Sequence, residues 1–528
     1  MSGFVKEEKD SGKNTGFFLY SVEKDIYCVA ILYCGGILLE FGRGTFDVFP
    51  LYYQLPNFIL ALIGLSTISI LLVMFYGGRN FGRLFAGKSR CAIGGVLYTL
   101  ILFTAQIYLC KCIYFCTTWD VGMMQSASDV MAQGGVIQDW VLQNAGDAFA
   151  QNYFNAYPNN IFLTVIFAGI KDIAVHFGFA DGYFATIVVG VISVDISIVF
   201  TVLTVWKLTD SRKLTVLSLI ISTVFLGFNP WIVIPYSDAY SISFLSIMMY
   251  LYCSLKKDKK GYGTWTGIVI VAMIGMKIKP TVIIALFAIV LVEIFNCNKS
   301  RIKELLLKGV ILAAGSAAIL IMVNCLSKAV YAERSLDAQM TECHYLMMGA
   351  NEETYGSYFG EDRALSWGIS DPQKRKETQL EVWRERIRQK GFFGTIKFYA
   401  QKLVIANEDG SFSWKWEGNF FGEYRGLHNE LAEKLQSFYY AEDNKMIYNV
   451  LQSMWITLQI LVCFFAIMLE RKKKKELFIA LALIGINLFL MIFEVRARYL
   501  FLYVPYYIVA AMLGVSYIIG KLKKRTSR

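Results

Sequence analysis

Charged residues are scarce in this chain. They make up 18% of its 528 residues, against 56% hydrophobic ones, where a soluble protein of this size carries about a quarter charged and divides into several domains. That shortage excludes a soluble enzyme or binding module. A cleavable leader pattern is missing too. The opening "MSGFVKEEKDSGKNTG" is polar and mixed in charge, so the first apolar block is expected to stay as a span. No internal repeat and no low-complexity stretch occurs, which removes the inverted-repeat signature of many secondary transporters. Histidine numbers only three, none of them near Cys110, Cys112 and Cys116. Those three thiols lie in an apolar block and read as small packing residues rather than as metal ligands.

What is abundant is apolar sequence, gathered in blocks near the roughly 20 residues needed to cross a bilayer. The net charge of +11 would suggest a nucleic-acid partner in a soluble chain. Here the basic clusters stand between apolar blocks, where they set orientation. The positive-inside rule puts the basic stretches at 79–90, 207–213, 256–260, 299–308, 471–475 and from Lys521 onward on the cytoplasmic side.

Apolar blocks near 27–41, 57–77, 91–115, 184–206, 214–234, 239–255, 262–276, 281–296, 309–327, 447–469, 477–493 and 500–520 then alternate across the membrane. One further block, 159–178, breaks the parity. Because it carries Lys171, Asp172 and His176, it is expected to lie in the interface or to re-enter. The expectation is an all-α polytopic membrane protein with about 12–13 transmembrane helices. A cytoplasmic tail (1–26) precedes a transmembrane core (27–327) whose first outer loop is 116–158. An extracytoplasmic helical subdomain (328–446), carboxy-terminal transmembrane helices (447–520) and a cytoplasmic tail (521–528) follow.

The outer tips hold most of the unusual polar residues. The first outer loop supplies Asp120 and the stretch Tyr157–Asn160, with Asn159 inside it. The next tips supply Tyr236 and Asp238, then Lys277 and Lys279, and finally Glu494, Arg496 and Arg498. Ionisable groups at membrane depth are costly and usually mark a site. Carboxylates together with lysines and arginines suit a reaction with an anionic leaving group. A carboxylate can take a proton from an attacking hydroxyl, and guanidinium and ammonium groups stabilise phosphate charge as a bond breaks.

Each residue also has a plainer reading. Asp120 and Asp238 stand where they could cap helices. Lys277 and Lys279 could snorkel from a short hairpin, and Arg496 and Arg498 could anchor a span against the positive-inside bias. His344, in "ECHYLMMGANEETYGSYFGED", reads equally as a hydrogen-bonding loop histidine. Their convergence on one face favours a site.

The stretches "TTWDVGMMQSA", "YFNAYPNNIFL", "PYSDAYSISFLSIMMYLY", "KIKPTVII", "HYLMMGANEETYGSYFGED" and "VRARYLFLYVPYYIVAA", in this order and facing, resemble the GT-C-fold glycosyltransferases. These are integral membrane enzymes related to protein O-mannosyltransferases and lipid A aminoarabinose transferases, with bacterial members in Gram-positive organisms. The resemblance runs from about residue 91 to the carboxy terminus. It implies a GT-C-like bundle with amphipathic juxtamembrane helices in the first outer loop. It also implies transfer of a sugar from a polyprenyl-phosphate donor to an acceptor hydroxyl on the extracytoplasmic side, with inversion.

By that match Asp120 is the general base. Lys277, Lys279, Arg496 and Arg498 are expected to hold the lipid phosphate, by chemistry and position more than by strict motif. Tyr157, Asn159, Tyr236 and His344 join them as candidate substrate-binding residues. Many relatives carry two acids in the first loop where "WDVG" has one. Asp238 is therefore the candidate second catalytic carboxylate, and a divalent metal is left without support. No cofactor is expected beyond the lipid-linked donor.

The expected partners are that donor, membrane lipids and an acceptor that is a cell-wall polymer, glycolipid or protein, with no nucleic acid. The expected location is the cell membrane, with both termini cytoplasmic. The competing readings are a transporter or flippase of a lipid-linked saccharide, a polysaccharide polymerase, and an inactive accessory subunit.

Overall fold

The computed structural model describes residues 53–77, 88–255, 261–414, 425–441, 444–467, 469 and 474–526. The tail at 1–26, the apolar block at 27–41, most of the basic stretches at 79–90 and 471–475, and that at 256–260 lie outside the described residues. Within them the structure is all-α, 81% helical and without strands, with 19 helices.

Among the described residues seven segments are long and apolar enough to span a membrane alone. They correspond to α1 (Asn57–Gly77), α2 (Lys88–Ile113), α7 (Gly182–Thr209), α12 (Ile302–Val330), α17 (Met446–Ile467), α18 (Lys474–Ile492) and α19 (Val504–Thr526). The sequence suggested about twelve crossings. The block at 27–41 lies outside the described residues, that at 239–255 is an unbroken helix of 18 residues, and the other three are shortened by breaks. The block at 214–234 is broken into α8 (Arg212–Ser222), a π-turn at Thr223–Gly227 and a 3-10 turn at Pro230–Val233. Pro280 likewise splits the next hairpin into α10 (Tyr262–Ile278) and α11 (Ile283–Phe295), both short of a full span. Pro230 and Pro280 each open a 3-10 turn, since proline cannot continue a helical hydrogen-bond ladder, whereas the π-turn at Thr223–Gly227 holds no proline.

The helices sort by which faces are apolar. Leu62, Ile63, Ile70, Val73 and Met74 of α1 are exposed on the protein, as are Val310, Ile321 and Met322 of α12. These peripheral helices offer apolar side chains to lipid. By contrast α7, α9 (Ser237–Ser254), α17 and α19 form the centre, where α19 is buried along most of its length. Small hydroxyl residues bring α7 and α9 close. Ser193 Oγ lies 2.9 Å from Ser243 Oγ and Ser197 Oγ lies 2.6 Å from Ser246 Oγ. Small residues of this kind supply both close approach and interhelical hydrogen bonds in a membrane.

Between α2 and α7 come four helices, α3 (Asp120–Ala132), α4 (Ile137–Gln143), α5 (Ala148–Ala156) and α6 (Asn159–His176). The chain turns by 104° between α5 and α6. Asn160, at the start of α6, reaches Tyr153 at 2.6 Å, and Lys171 near its end reaches Asp129 of α3 at 2.6 Å. The residue before α7, Asp181, accepts a hydrogen bond of 2.6 Å from Tyr114, just past α2. The chain therefore enters and leaves α3–α6 at the same end of the bundle. The apolar segment 159–178 does not carry it across.

After α12 a strip at 331–341 leads to α13 (Glu342–Gly349), α14 (Gly360–Gly368) and the long α15 (Pro372–Asn407), which kinks at Gly391. Arg386 grips both oxygens of Asp362, at 2.7 and 2.8 Å, and holds these helices as one small subdomain. Then the chain does something its sequence did not announce. Residues 407–414, "NEDGSFSW", drop into the bundle core. Trp455 and Gln459 of α17 donate to the Asn407 carbonyl at 2.7 and 2.9 Å, and Trp231 donates to the Ser411 carbonyl at 3.1 Å. Asp409 satisfies the segment from within, accepting 2.8 Å hydrogen bonds from Ser411 N, Ser411 Oγ and Ser413 N. Irregular backbone at this depth is tolerated where protein groups complete its hydrogen bonds. The expected outer region therefore includes a stretch seated inside the bundle. After it, α16 (Glu430–Tyr440) lies along the end of α2, where Tyr440 donates to the Ile113 carbonyl at 2.7 Å.

Candidate active site at the end of the bundle

The site is built where four chain breaks meet. The first is the exit from α2. Trp119 is the residue before α3, and Asp120 opens the helix without capping it, since no side-chain cap bond is made there. A carboxylate in the first helical turn is favoured by the helix dipole. Asp120 is half-buried, and its Oδ2 accepts a hydrogen bond of 2.9 Å from Tyr236. The Tyr153 hydroxyl lies 3.4 Å from the Asp120 carbonyl and accepts from Asn160 Nδ2 at 2.6 Å. Burial first, then the Asp120 charge, push the Tyr153 phenol well above its ordinary range. It therefore stays a proton donor.

The second and third breaks are proline-made. Tyr236 follows Pro235 in extended backbone and puts Asp238 in the first turn of α9. Lys279 precedes Pro280, and a residue before proline is driven out of the helical region. Its backbone is accordingly extended, with φ −141° and ψ 114°. Its ammonium reaches the Asp238 carboxylate at 2.5 Å, with both side chains almost wholly buried. The fourth break is the 3-10 turn at Ala497–Tyr503 before α19. There Arg498 Nε comes within 3.9 Å of the other Asp238 oxygen.

Aromatic rings frame this group. The Arg498 guanidinium lies 4.9 Å from the Trp119 ring centroid, 5.2 Å from Tyr236 and 5.6 Å from Tyr499. Lys279 sits 4.4 Å from the Tyr499 ring, and Trp119 meets Tyr236 edge-on at 4.9 Å. Such cation–π contacts gain strength as the cations lose water.

The structure thus brings together Asp120, Tyr236, Asp238, Lys279 and Arg498. Asp238, the expected second catalytic carboxylate, is buried between two cations, a position that suits it to holding them. Tyr157 stands at the rim, where Asp120 and Arg363 both act on its phenol. Arg496 does not join the group. It pairs with Glu494 at 3.1 Å and lies 5.7 Å from the Tyr358 ring.

Three more expected residues lie apart. Lys277 makes no ion pair with either aspartate and feels the charge of Arg334. Asn159 is exposed and donates to Asn160, so the buried Asn160 is the asparagine of the site. His344 is buried in the subdomain, 2.8 Å from Ser366 Oγ, and burial lowers its pKa to about 4.

Sequence reasoning missed Trp119, Tyr153 and Tyr499, and within the stretch Tyr157–Asn160 it picked Asn159 and not Asn160. The one available signal was adjacency, because Trp119, Asn160 and Tyr499 flank residues already singled out. Tyr153 comes from a helix whose approach to α6 no local pattern specifies. Among the described residues no group of three or more His, Cys, Asp or Glu side chains is arranged to hold a metal ion. Cys110 and Cys112 are buried free thiols and Cys116 a half-buried one.

No curated protein and no solved structure matches this chain. A family model described as conserved hypothetical integral membrane protein matches residues 57–519. That match covers well over half of the chain and takes in every residue of the site, so the protein belongs to this family of integral membrane proteins.

Proposed function

We propose that the protein is a membrane glycosyltransferase that moves a sugar from a polyprenyl-phosphate donor to an acceptor hydroxyl on the extracytoplasmic face. One observation carries the reading. A half-buried carboxylate, Asp120, held by Tyr236, stands beside two cations, the buried Lys279 and the partly buried Arg498, both fixed by one buried carboxylate. In the reaction Asp120 takes the proton of the acceptor hydroxyl. The freed oxygen bonds to the anomeric carbon from the face opposite the phosphate, and the bond from that carbon to the phosphate oxygen breaks. The electron pair leaves on the polyprenyl phosphate, where Lys279 and Arg498 receive its charge. The anomeric centre inverts.

The test is transfer of labelled sugar from a panel of polyprenyl-phosphate sugars to cell-envelope fractions. Asp120→Asn is expected to insert normally and to lose transfer by roughly 10²–10⁴-fold, the usual contribution of a general base. Near-full activity in that variant would sink the assignment.

One observation favours a second reading, transport of a lipid-linked saccharide. Asp195, near the midpoint of α7, is buried beside Gln106 of α2. Carboxylates at that depth mark ion or substrate paths in transporters. Loss of lipid-linked saccharide translocation in Asp195→Asn, with no sugar transfer by the unaltered protein, would replace the first reading by this one.

A further inference from the structure

A cavity of about 380 Å³ opens on the helical subdomain, within the size range of small-molecule sites. It takes no part in the centre around Asp120. One wall is the strip after α12, with Leu336, Gln339 and Thr341, and the other is the first two turns of α15. Its polar lining is unusual in kind. Gln339, Gln373 and Gln379 add three side-chain amides to the Thr341 hydroxyl. No carboxylate is among the lining residues, and Glu377, just outside, accepts from Gln373 Nε2 at 2.7 Å. An amide both donates and accepts, which is the pattern that sugar hydroxyls require. Leu336 and Pro372 add the apolar surface against which a ring can lie.

Gln379 sharpens the point. It is 1% exposed and donates its Nε2 to Ser366 Oγ at 2.9 Å, while its Oε1 is buried with no hydrogen-bond partner. A buried polar atom left without a partner calls for one. The charge of the cavity is positive. Arg375, buried, donates to the backbone carbonyls of Ile369, Asp337 and Gln339 and makes no ion pair among the described residues. Lys376 stands exposed on the rim, in no ion pair among the described residues.

The strip that forms one wall is also tied to the first loop. Ser335 N donates to Asn155 Oδ1 at 2.9 Å, and Met340 N to the Ala156 carbonyl at 3.0 Å. Asn155 and Ala156 lie between Tyr153 and Tyr157, two of the tyrosines that sense the Asp120 charge. We propose that this cavity is the acceptor subsite and that it takes an anionic saccharide, one bearing carboxylate or phosphate groups. The assignment of acceptor rests on the glycosyl-transfer reading.

The test is binding, read without turnover. The full-length protein in lipid nanodiscs is titrated calorimetrically with trigalacturonic acid, maltotriose and inorganic phosphate. Trigalacturonic acid is expected to bind at least about tenfold more tightly than either of the others. Gln373→Ala/Lys376→Ala alters two exposed residues, and is expected to weaken that binding about tenfold or more, the loss of hydrogen bonds to a charged ligand. Asp120→Asn is expected to bind it as the unaltered protein does. Equal affinity for the charged and neutral trisaccharides, phosphate binding as tight as trigalacturonic acid, no binding at all, or an unaffected double variant would each overturn the proposal. Failure of sugar transfer with this binding intact would count against the glycosyl-transfer reading alone.

Discussion

Asp238 decides how the site is held. With its side chain 3% exposed and Lys279 at 7%, neither group can turn to water if its partner is lost. Removing one member of a buried pair typically costs about 3–5 kcal/mol, because the other charge stays unpaired. Asp238→Ala is therefore expected to lower the melting temperature in detergent sharply, and Asp238→Asn/Lys279→Met to recover much of the loss. A double variant no more stable than Asp238→Ala would show that the pair does not hold the turn. Tyr236→Phe keeps the ring under Arg498 and removes the 2.9 Å hydrogen bond to Asp120. Hydrogen bonds to charged groups contribute about 1.5–3 kcal/mol, so the variant is expected to lose up to that much stability while still folding, and sugar transfer is expected to fall roughly ten- to a hundredfold as Asp120 loses its hold. His344 makes a pH prediction. Burial lowers its pKa from 6.5 to about 4, so between those values the unfolded chain holds a proton that the folded chain lacks. Stability of the subdomain then falls as pH drops through that window. His344→Gln is expected to flatten the dependence, as followed by thermal unfolding at stepped pH.

At the scale of elements, the long uniform helices were legible and the broken ones were not. Runs such as 57–77 and 309–327 show their span by length and apolarity alone. The prolines at 230 and 280 also announce where helices stop, which is why Tyr236, Asp238 and Lys279 were found together at tips. Which tip residues meet depends on packing between distant helices. Lys277 and Lys279 look alike in sequence, yet only the one placed outside the helix by Pro280 reaches Asp238. The segment 407–414 was read as outer chain because it is polar, and its acids carry no local mark of a core position. Asp409 can enter the bundle because the segment's own backbone and hydroxyls satisfy it. Gly410 shows how tight the fit is, since a Cβ there would lie 2.5 Å from the Leu451 carbonyl oxygen. Gly410→Ala is thus expected to destabilise by about 1–3 kcal/mol, the usual range for overpacking. Gly360→Ala, at a position with open space around it, is expected to stay within about 0.5 kcal/mol. Equal melting temperatures for the two variants would contradict a tightly seated 407–414 segment.

For the molecule as a whole, the question is what fastens the helical subdomain to the hairpin that carries Arg498. Lys402 of α15 is wholly buried and donates to the Gly349 carbonyl after α13 and to the Phe493 carbonyl after α18, both at 2.6 Å. One side chain thus ties three elements, and the backbone bond from Val495 N to the Gly356 carbonyl, 2.8 Å, runs beside it. The residues so fixed, 493–495, lead directly into Arg496 and Arg498. Burial pushes the Lys402 pKa down from 10.5 to about 7, with Glu494 opposing that shift and Lys390 adding to it. The sign follows from proton counting. Between pH 7 and 10.5 the unfolded chain holds a proton on this lysine that the folded chain lacks, so stability of the docked state rises with pH across that window. Below pH 7 the full cost of burying the charge persists. The neutral amine still donates to both carbonyls, so the clip survives deprotonation. Lys402→Met keeps the volume and removes both donors, at about 1–3 kcal/mol for each carbonyl left unsatisfied. It should loosen the subdomain from the hairpin, remove this rise in stability above pH 7 and lower sugar transfer, although Lys402 touches none of the groups around Asp120. Hydrogen exchange over 349–357 and 493–498, compared at pH 7 and 9, reads all but the last of these directly. Protection that stays unchanged in Lys402→Met would mean that the subdomain is held elsewhere and that Arg498 owes its position to the bundle alone.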